Sequence, residues 1–97
     1  MEKEYYPVVV QVVAGPGRIV YAYFSDGQVK RYDMSSAIER GGVFAALADE
    51  TFFAERLTVL NDTVAWDVSG HYDPRSCIDI DPLEVYAAES VSDPLAG

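Results

Sequence analysis

The chain predicts an α+β fold: an antiparallel sheet of about five strands in two hairpin-linked groups, with a central helix and a C-terminal helix packed on it. Three observations carry that expectation. Strand-forming runs rich in valine and tyrosine are separated by short turn signals at residues 15–17, 26–27 and 61–62, the spacing of hairpins rather than of parallel crossovers. Asp33, Asp49, Asp73 and Asp81 each stand where a helix could start, as acids that can bond free N-terminal amides. With 97 residues, 49% of them hydrophobic, the chain supports one core, so residues 1–97 read as a single domain.

Residues 5–14 form the first strand, which stops at Gly15-Pro16-Gly17 because proline has no amide to give a ladder. Residues 18–25 form the second, with Ile19, Tyr21 and Tyr23 on one face and Val20, Ala22 and Phe24 on the other. Apolar on both faces, it belongs in the middle of the sheet. Asp26-Gly27 suits a type I′ turn, in which both central residues need positive φ, and residues 28–32 return as a third strand.

Asp33 then caps a helix over residues 34–40 that Gly41-Gly42 ends. Val43, Phe44 and Leu47 recur at helical spacing, and Asp49 caps a further turn carrying Phe52 and Phe53. Residues 55–60 and 63–68 make a second hairpin around Asn61-Asp62, with Leu57 and Val59 on one strand and Val64 and Trp66 aligned on the other. It is expected to be more exposed than the first. Asp73-Pro74 and Asp81-Pro82 each place an acid before the residue best tolerated at the first helical position. Glu84, three after Asp81, completes a capping-box pattern that opens a helix over residues 82–89. Residues 90–97 are expected to fray.

Charge is distributed unevenly. Residues 1–48 hold five acids and five bases, whereas residues 49–97 hold eleven acids against Arg56 and Arg75, which together give the net −9. A field of one sign speaks of partners more than of fold. Seven bases against sixteen acids disfavour direct nucleic-acid binding, which draws on lysine and arginine at phosphates. Tyr5, Tyr6, Tyr21, Tyr23 and Tyr32 could stack bases, but at alternate strand positions they read better as core and half-buried sheet residues.

Chemistry is sparsely signalled. His71, Asp73, Cys77, Asp79 and Asp81 include metal-ligand types, yet their spacing fits no zinc or calcium pattern, so neither a metal nor a cofactor is expected. Cys77 and His71 as a nucleophile pair compete with the commoner role of a lone cysteine as a small apolar residue. No serine elbow, phosphate loop or dinucleotide fingerprint is present, and an enzyme is not expected. The apolar N-terminal run is short of the ~20 residues that span a bilayer and lacks a basic leader, and one cysteine suits a reducing compartment. A cytoplasmic protein without membrane contact is expected.

The order of signals also carries a resemblance. Phe24-Ser25-Asp26-Gly27, Tyr32-Asp33, Val43-Phe44 with Leu47, Phe52-Phe53, Val64-Ala65-Trp66, and Cys77-Ile78-Asp79-Ile80-Asp81-Pro82 with Val85-Tyr86 follow one another as in the small bacterial family catalogued as domain of unknown function 2442. The resemblance runs from about Tyr5 to Ala88. Leu83 departs from it, standing where many members place glutamate, with Glu84 one position later. The resemblance implies an α+β fold without known catalytic residues. Family genes often neighbour those of other small proteins, some suspected to form toxin and antitoxin pairs.

These readings converge on a small acidic, non-enzymatic protein that docks on and neutralises a basic protein partner. That partner is a toxin, a nuclease or another nucleic-acid-binding protein, so the protein is antitoxin-like or a nucleic-acid mimic inhibiting a nuclease such as a CRISPR effector. Asp49, Asp73 and Asp81 are assigned to caps, which leaves Asp62, Asp67, Asp79, Glu84 and Glu89 for the partner. Trp66 and Tyr72 are the aromatic anchors beside them. The alternative is a homo-oligomeric structural or ligand-sensing module, a homodimer through the edge strand at residues 5–13.

Overall fold

The computed structural model describes residues 6–73 and 75–95. In chain order its strands are β1 (Val9–Ala14), β2 (Ile19–Phe24), β3 (Val29–Asp33), β4 (Leu57–Leu60), β5 (Thr63–Asp67), β6 (Cys77–Asp79) and β7 (Glu89–Val91). Its helices are α1 (Ser35–Arg40), α2 (Glu50–Arg56) and α3 (Pro82–Tyr86), with a 3-10 stretch, Gly42–Ala48, between the first two. The α+β class and the antiparallel pairing hold. The strands number seven rather than about five, in two sheets ordered β1-β2-β3-β7 and β4-β5-β6. The two strands missing from the sequence reading, β6 and β7, are three residues each, too short to show a period.

Alternation sets the faces of the larger sheet. Val20, Ala22 and Phe24 of the central strand β2 turn inward and are all but fully buried, while Tyr21 and Tyr23 line the other face at half burial. The turn after β2 is not type I′. Only Gly27 has positive φ, at 93°, and Gly27 N–H reaches Phe24 O while Phe24 N–H reaches Gln28 O. These bonds make a type I turn followed by a left-handed glycine, a three-residue loop. The type I′ geometry falls at the second hairpin, where Asn61 and Asp62 sit at φ 54° and 62° and Leu60 pairs Thr63 across a two-residue loop.

The second hairpin is the more buried one, against expectation. Every residue of β5 is buried, because β4 and β6 flank it and α2 packs on it. Trp66 Nε1–H donates to Phe53 O at 3.0 Å, and the two rings lie 5.4 Å apart. Val64 and Trp66 meet Val20, Ala22 and Phe24 in one core, together with Met34, Leu47, Phe53 and Val85. A backbone hydrogen bond joins the sheets where β1 runs along β4, since Val9 N–H donates to Asp62 O in the β4–β5 turn at 2.9 Å. Val9, within the segment expected to pair with a second copy, is therefore already bonded to Asp62 as well as paired with β2.

The C-terminal segment is ordered by pairing. Residues 90–97 were expected to fray, but β7 pairs β3 through Val29–Val91, Lys30–Ser90 and Arg31–Glu89, and Tyr23 donates to Asp93 Oδ1 at 2.5 Å. Residues 96–97 lie outside the described residues. The helix before it ends at Tyr86, not at residue 89, because the chain must extend again to reach β3. Asp73 starts no helix; Ser76 N–H closes a turn onto its carbonyl and β6 follows at once. Its neighbour Pro74 lies outside the described residues, as does Tyr5. Among the described residues no helix is long and apolar enough to cross a membrane.

Candidate functional site

Asp79-Ile80-Asp81 alternates across the end of β6, and burial decides which way each side chain turns. Ile80 is 6% exposed and locked from both sides, its N–H on Val64 O at 3.1 Å and its carbonyl accepting from Thr63 Oγ1 at 2.5 Å. The two acids flanking it are thereby turned outward. Asp81 caps α3 by accepting from Leu83 N–H at 2.9 Å, with Pro82 in the first turn, as expected of this pair. Glu84 stands one turn into the same helix. It does not reach back to complete a capping box; its carboxylate accepts the Tyr32 hydroxyl from β3.

Asp79, Asp81 and Glu84 thus border a cavity of about 120 Å³ between α1, the 3-10 stretch, β3 and α3. Met34, Phe44 and Ile80 give it an apolar floor, and Arg40 is the cation on its rim. Burial, followed by the bond to Glu84 and the repulsion of its charge, pushes the Tyr32 phenol up to about 12, with Arg40 opposing. The hydroxyl is therefore a fixed donor that orients Glu84. Three carboxylates against one guanidinium leave a negative notch with an apolar base, the shape and charge that a lysine or arginine side chain fills.

The structure brings together two of the seven residues expected to bind a partner, Asp79 and Glu84, and adds Asp81, whose sequence context predicts only a cap. Trp66 is a correction: at 0% exposure it is a core residue and presents nothing to a partner. Asp67 is another, being 4% exposed with Oδ1 accepting from Ser69 Oγ, Gly70 N–H and Tyr72 N–H at 3.1–3.2 Å. Its burial opposes ionisation, but the Tyr72 amide, the Ser69 hydroxyl, the Gly70 amide and the Arg56 charge prevail and hold the carboxyl below its ordinary value. Asp62 is exposed in the β4–β5 turn, Tyr72 is 62% exposed in the loop after β5, and Glu89 lies on β7 at 4.0 Å from Arg31.

Burial first, then Asp79, Asp67 and Asp73, push the Cys77 thiol up, the opposite of what an attacking thiolate needs. Among the described residues no group of three or more His, Cys, Asp or Glu is placed to hold a metal ion. The tyrosines do not share one platform either. Tyr21 and Tyr23 occupy the outer face of the larger sheet, and Tyr32, opposite Val20, belongs to the inner one.

No curated protein and no solved structure matches the chain. A family model does, over residues 9–90, from the first residue of β1 into β7 and so across both sheets and the notch. The chain belongs to the family described as protein of unknown function (DUF2442).

Proposed function

We propose that this is a cytoplasmic, non-enzymatic acidic binding protein that docks on a basic protein partner and neutralises it. The observation that carries the reading is the notch, where Asp79, Asp81 and Glu84 surround an apolar floor. A lysine or arginine entering it lays its methylene stem on Met34, Phe44 and Ile80 and brings its charge to the carboxylates. The wider surplus of acids in residues 49–97 steers a basic surface toward that point. A toxin, or a nuclease whose nucleic-acid groove this surface would occupy, has the required charge. The edge-strand homodimer draws less support, because Val9 N–H is already bonded to Asp62 O.

The test is affinity capture from the native cell at about 50 and 500 mM salt, spanning Debye lengths of roughly 14 to 4 Å, with the Asp79→Asn/Glu84→Gln variant alongside. The expected result is a basic protein held at low salt and released at high salt or by the variant. A partner retained equally in every condition would sink the reading.

A further inference from the structure

A second concavity, of about 250 Å³, lies between the end of α2, the start of β4 and the loop after β5, and shares no lining residue with the notch. At its base is Arg56, one of two bases in the acidic half of the chain. The half-buried guanidinium lies 5.9 Å from the Phe52 ring and gives one N–H to Asp67 O at 3.3 Å. An arginine carries five N–H donors in a planar fork; that one bond is the side-chain hydrogen bond Arg56 makes among the described residues, and Arg56 lines the cleft. Thr58 lines the same wall, and Glu55 and Tyr72 stand at the rim.

The loop that shapes the far side is built for exposure rather than burial. Tyr72, at φ 56°, occupies a region that bulky side chains rarely adopt. It is held there by its own amide on Asp67 Oδ1, and its side chain stays 62% exposed beside the cleft. Asp67 ties the loop down, since Ser69, Gly70 and Tyr72 all bond the same carboxylate oxygen. Arg56 meets Asp67 through the backbone carbonyl rather than through its carboxylate oxygens, although the two charges still attract.

A plain anion would meet Glu55 at the rim and the field of a chain with net charge −9. A plain cation would meet Arg56. We propose that this cleft binds a small zwitterion of the amino-acid type, its carboxylate on the Arg56 fork and its ammonium between Glu55 and the Tyr72 ring. Arginine matches a carboxylate in two parallel bonds, and an ammonium is attracted by both a carboxylate and an aromatic face. The volume lies below the 300–1,000 Å³ common for drug-sized ligands, so a free amino acid suits it better than a nucleotide. With both charges partly solvated, affinity should be on the order of millimolar.

The experiment is a titration of the full chain, followed by amide chemical shifts, with L-serine, acetate and ethylamine as separate probes. L-serine should shift the amides of Arg56, Gly70 and Tyr72 saturably, and acetate and ethylamine should bind at least about tenfold more weakly. Arg56→Gln should abolish the L-serine shifts while leaving the dispersion of the core amides intact. If that variant does not fold, Arg56→Lys, which keeps the charge and stem but loses the fork, should weaken L-serine binding by about tenfold. Acetate binding as well as L-serine, no saturable shift by about 50 mM, or L-serine binding unchanged in the variants overturns the proposal. None of these outcomes depends on Asp79 or Glu84, so the notch stands or falls separately.

Discussion

Lys30 Nζ donates to Ser90 Oγ at 2.7 Å and joins the middle of β3 to the middle of β7. Lys30 is only 7% exposed and lies 4.7 Å over the Tyr86 ring. From Ser90 the bonding continues in one direction. Ser90 Oγ donates to Gln28 Oε1 at 2.9 Å, Gln28 Nε2 to Tyr86 Oη at 2.8 Å, and Tyr86 Oη to Asp26 Oδ2 at 2.7 Å. A cation stands at the donor end and a carboxylate at the acceptor end, so each link polarises the next. β7, α3 and the β2–β3 turn are held by a single chain of side chains.

Ser90→Ala should therefore cost about 2 kcal/mol, because it deprives a buried ammonium of its oxygen acceptor. In a Lys30→Met background, where no ammonium remains to be satisfied, the same change should cost under about 0.5 kcal/mol. Urea unfolding of the four proteins measures the difference. Additive costs would show that Ser90 and Lys30 act independently.

Trp66 gives a second prediction. Trp66→Ala should cost about 3–5 kcal/mol, a large part of the ~5–15 kcal/mol that holds such a domain together. Trp66 is the only tryptophan, so emission reports on it alone. It should be blue-shifted and shielded from iodide in the folded protein. Emission quenched as in a free peptide would contradict the burial.

The same residues show which features local sequence reveals and which it conceals. β1 to β3, the Asp49 cap and the Asp81-Pro82 start were legible because each rests on neighbours within a few positions. Trp66 was misplaced because an aromatic among acids looks alike on a surface and in a core; what buries it is α2, through Phe53. β7 escaped because Glu89-Ser90-Val91 has no period, and its order comes from Lys30, far away in sequence. The notch was half legible. Asp79 and Glu84 stood out as acids, but only folding sets them around Ile80.

Asp62 and Asp67 carry the same formal charge and should respond in opposite ways. Asp62 sits at φ 62° with its side chain exposed, so Asp62→Gly should stabilise by roughly 0.5–1 kcal/mol through relief of the left-handed backbone. Asp67→Ala should lower the urea midpoint, because the amides of Gly70 and Tyr72 lose their acceptor. The folded-state value of Asp67 lies below its ordinary one. Its contribution is therefore present above the ordinary carboxylate range and lost as pH falls through the lower folded value. Urea midpoints at pH 7 and pH 3 should differ less in Asp67→Ala than in the parent. An unchanged pH dependence would remove Asp67 from the account.

Tyr32 and Glu84 supply a test at the alkaline end, at the notch itself. The phenol ionises at about 12 in the folded chain against about 10 in an unfolded one, so folding favours the protonated form. The unfolded state loses its proton first as pH rises, and the contribution of Tyr32 is complete below pH ~10 and lost as pH climbs toward 12. Absorbance at the tyrosinate band should show a late step from Tyr32, beside Tyr23, which burial and Asp93 also hold above the ordinary value. Tyr32→Phe should remove that step. Glu84→Gln should move it toward the ordinary value, since an amide can still accept the hydroxyl but no longer repels the phenolate. If the late step survives Glu84→Gln unshifted, burial alone holds Tyr32 protonated, and Glu84 is free to swing into the notch without the hydroxyl to orient it.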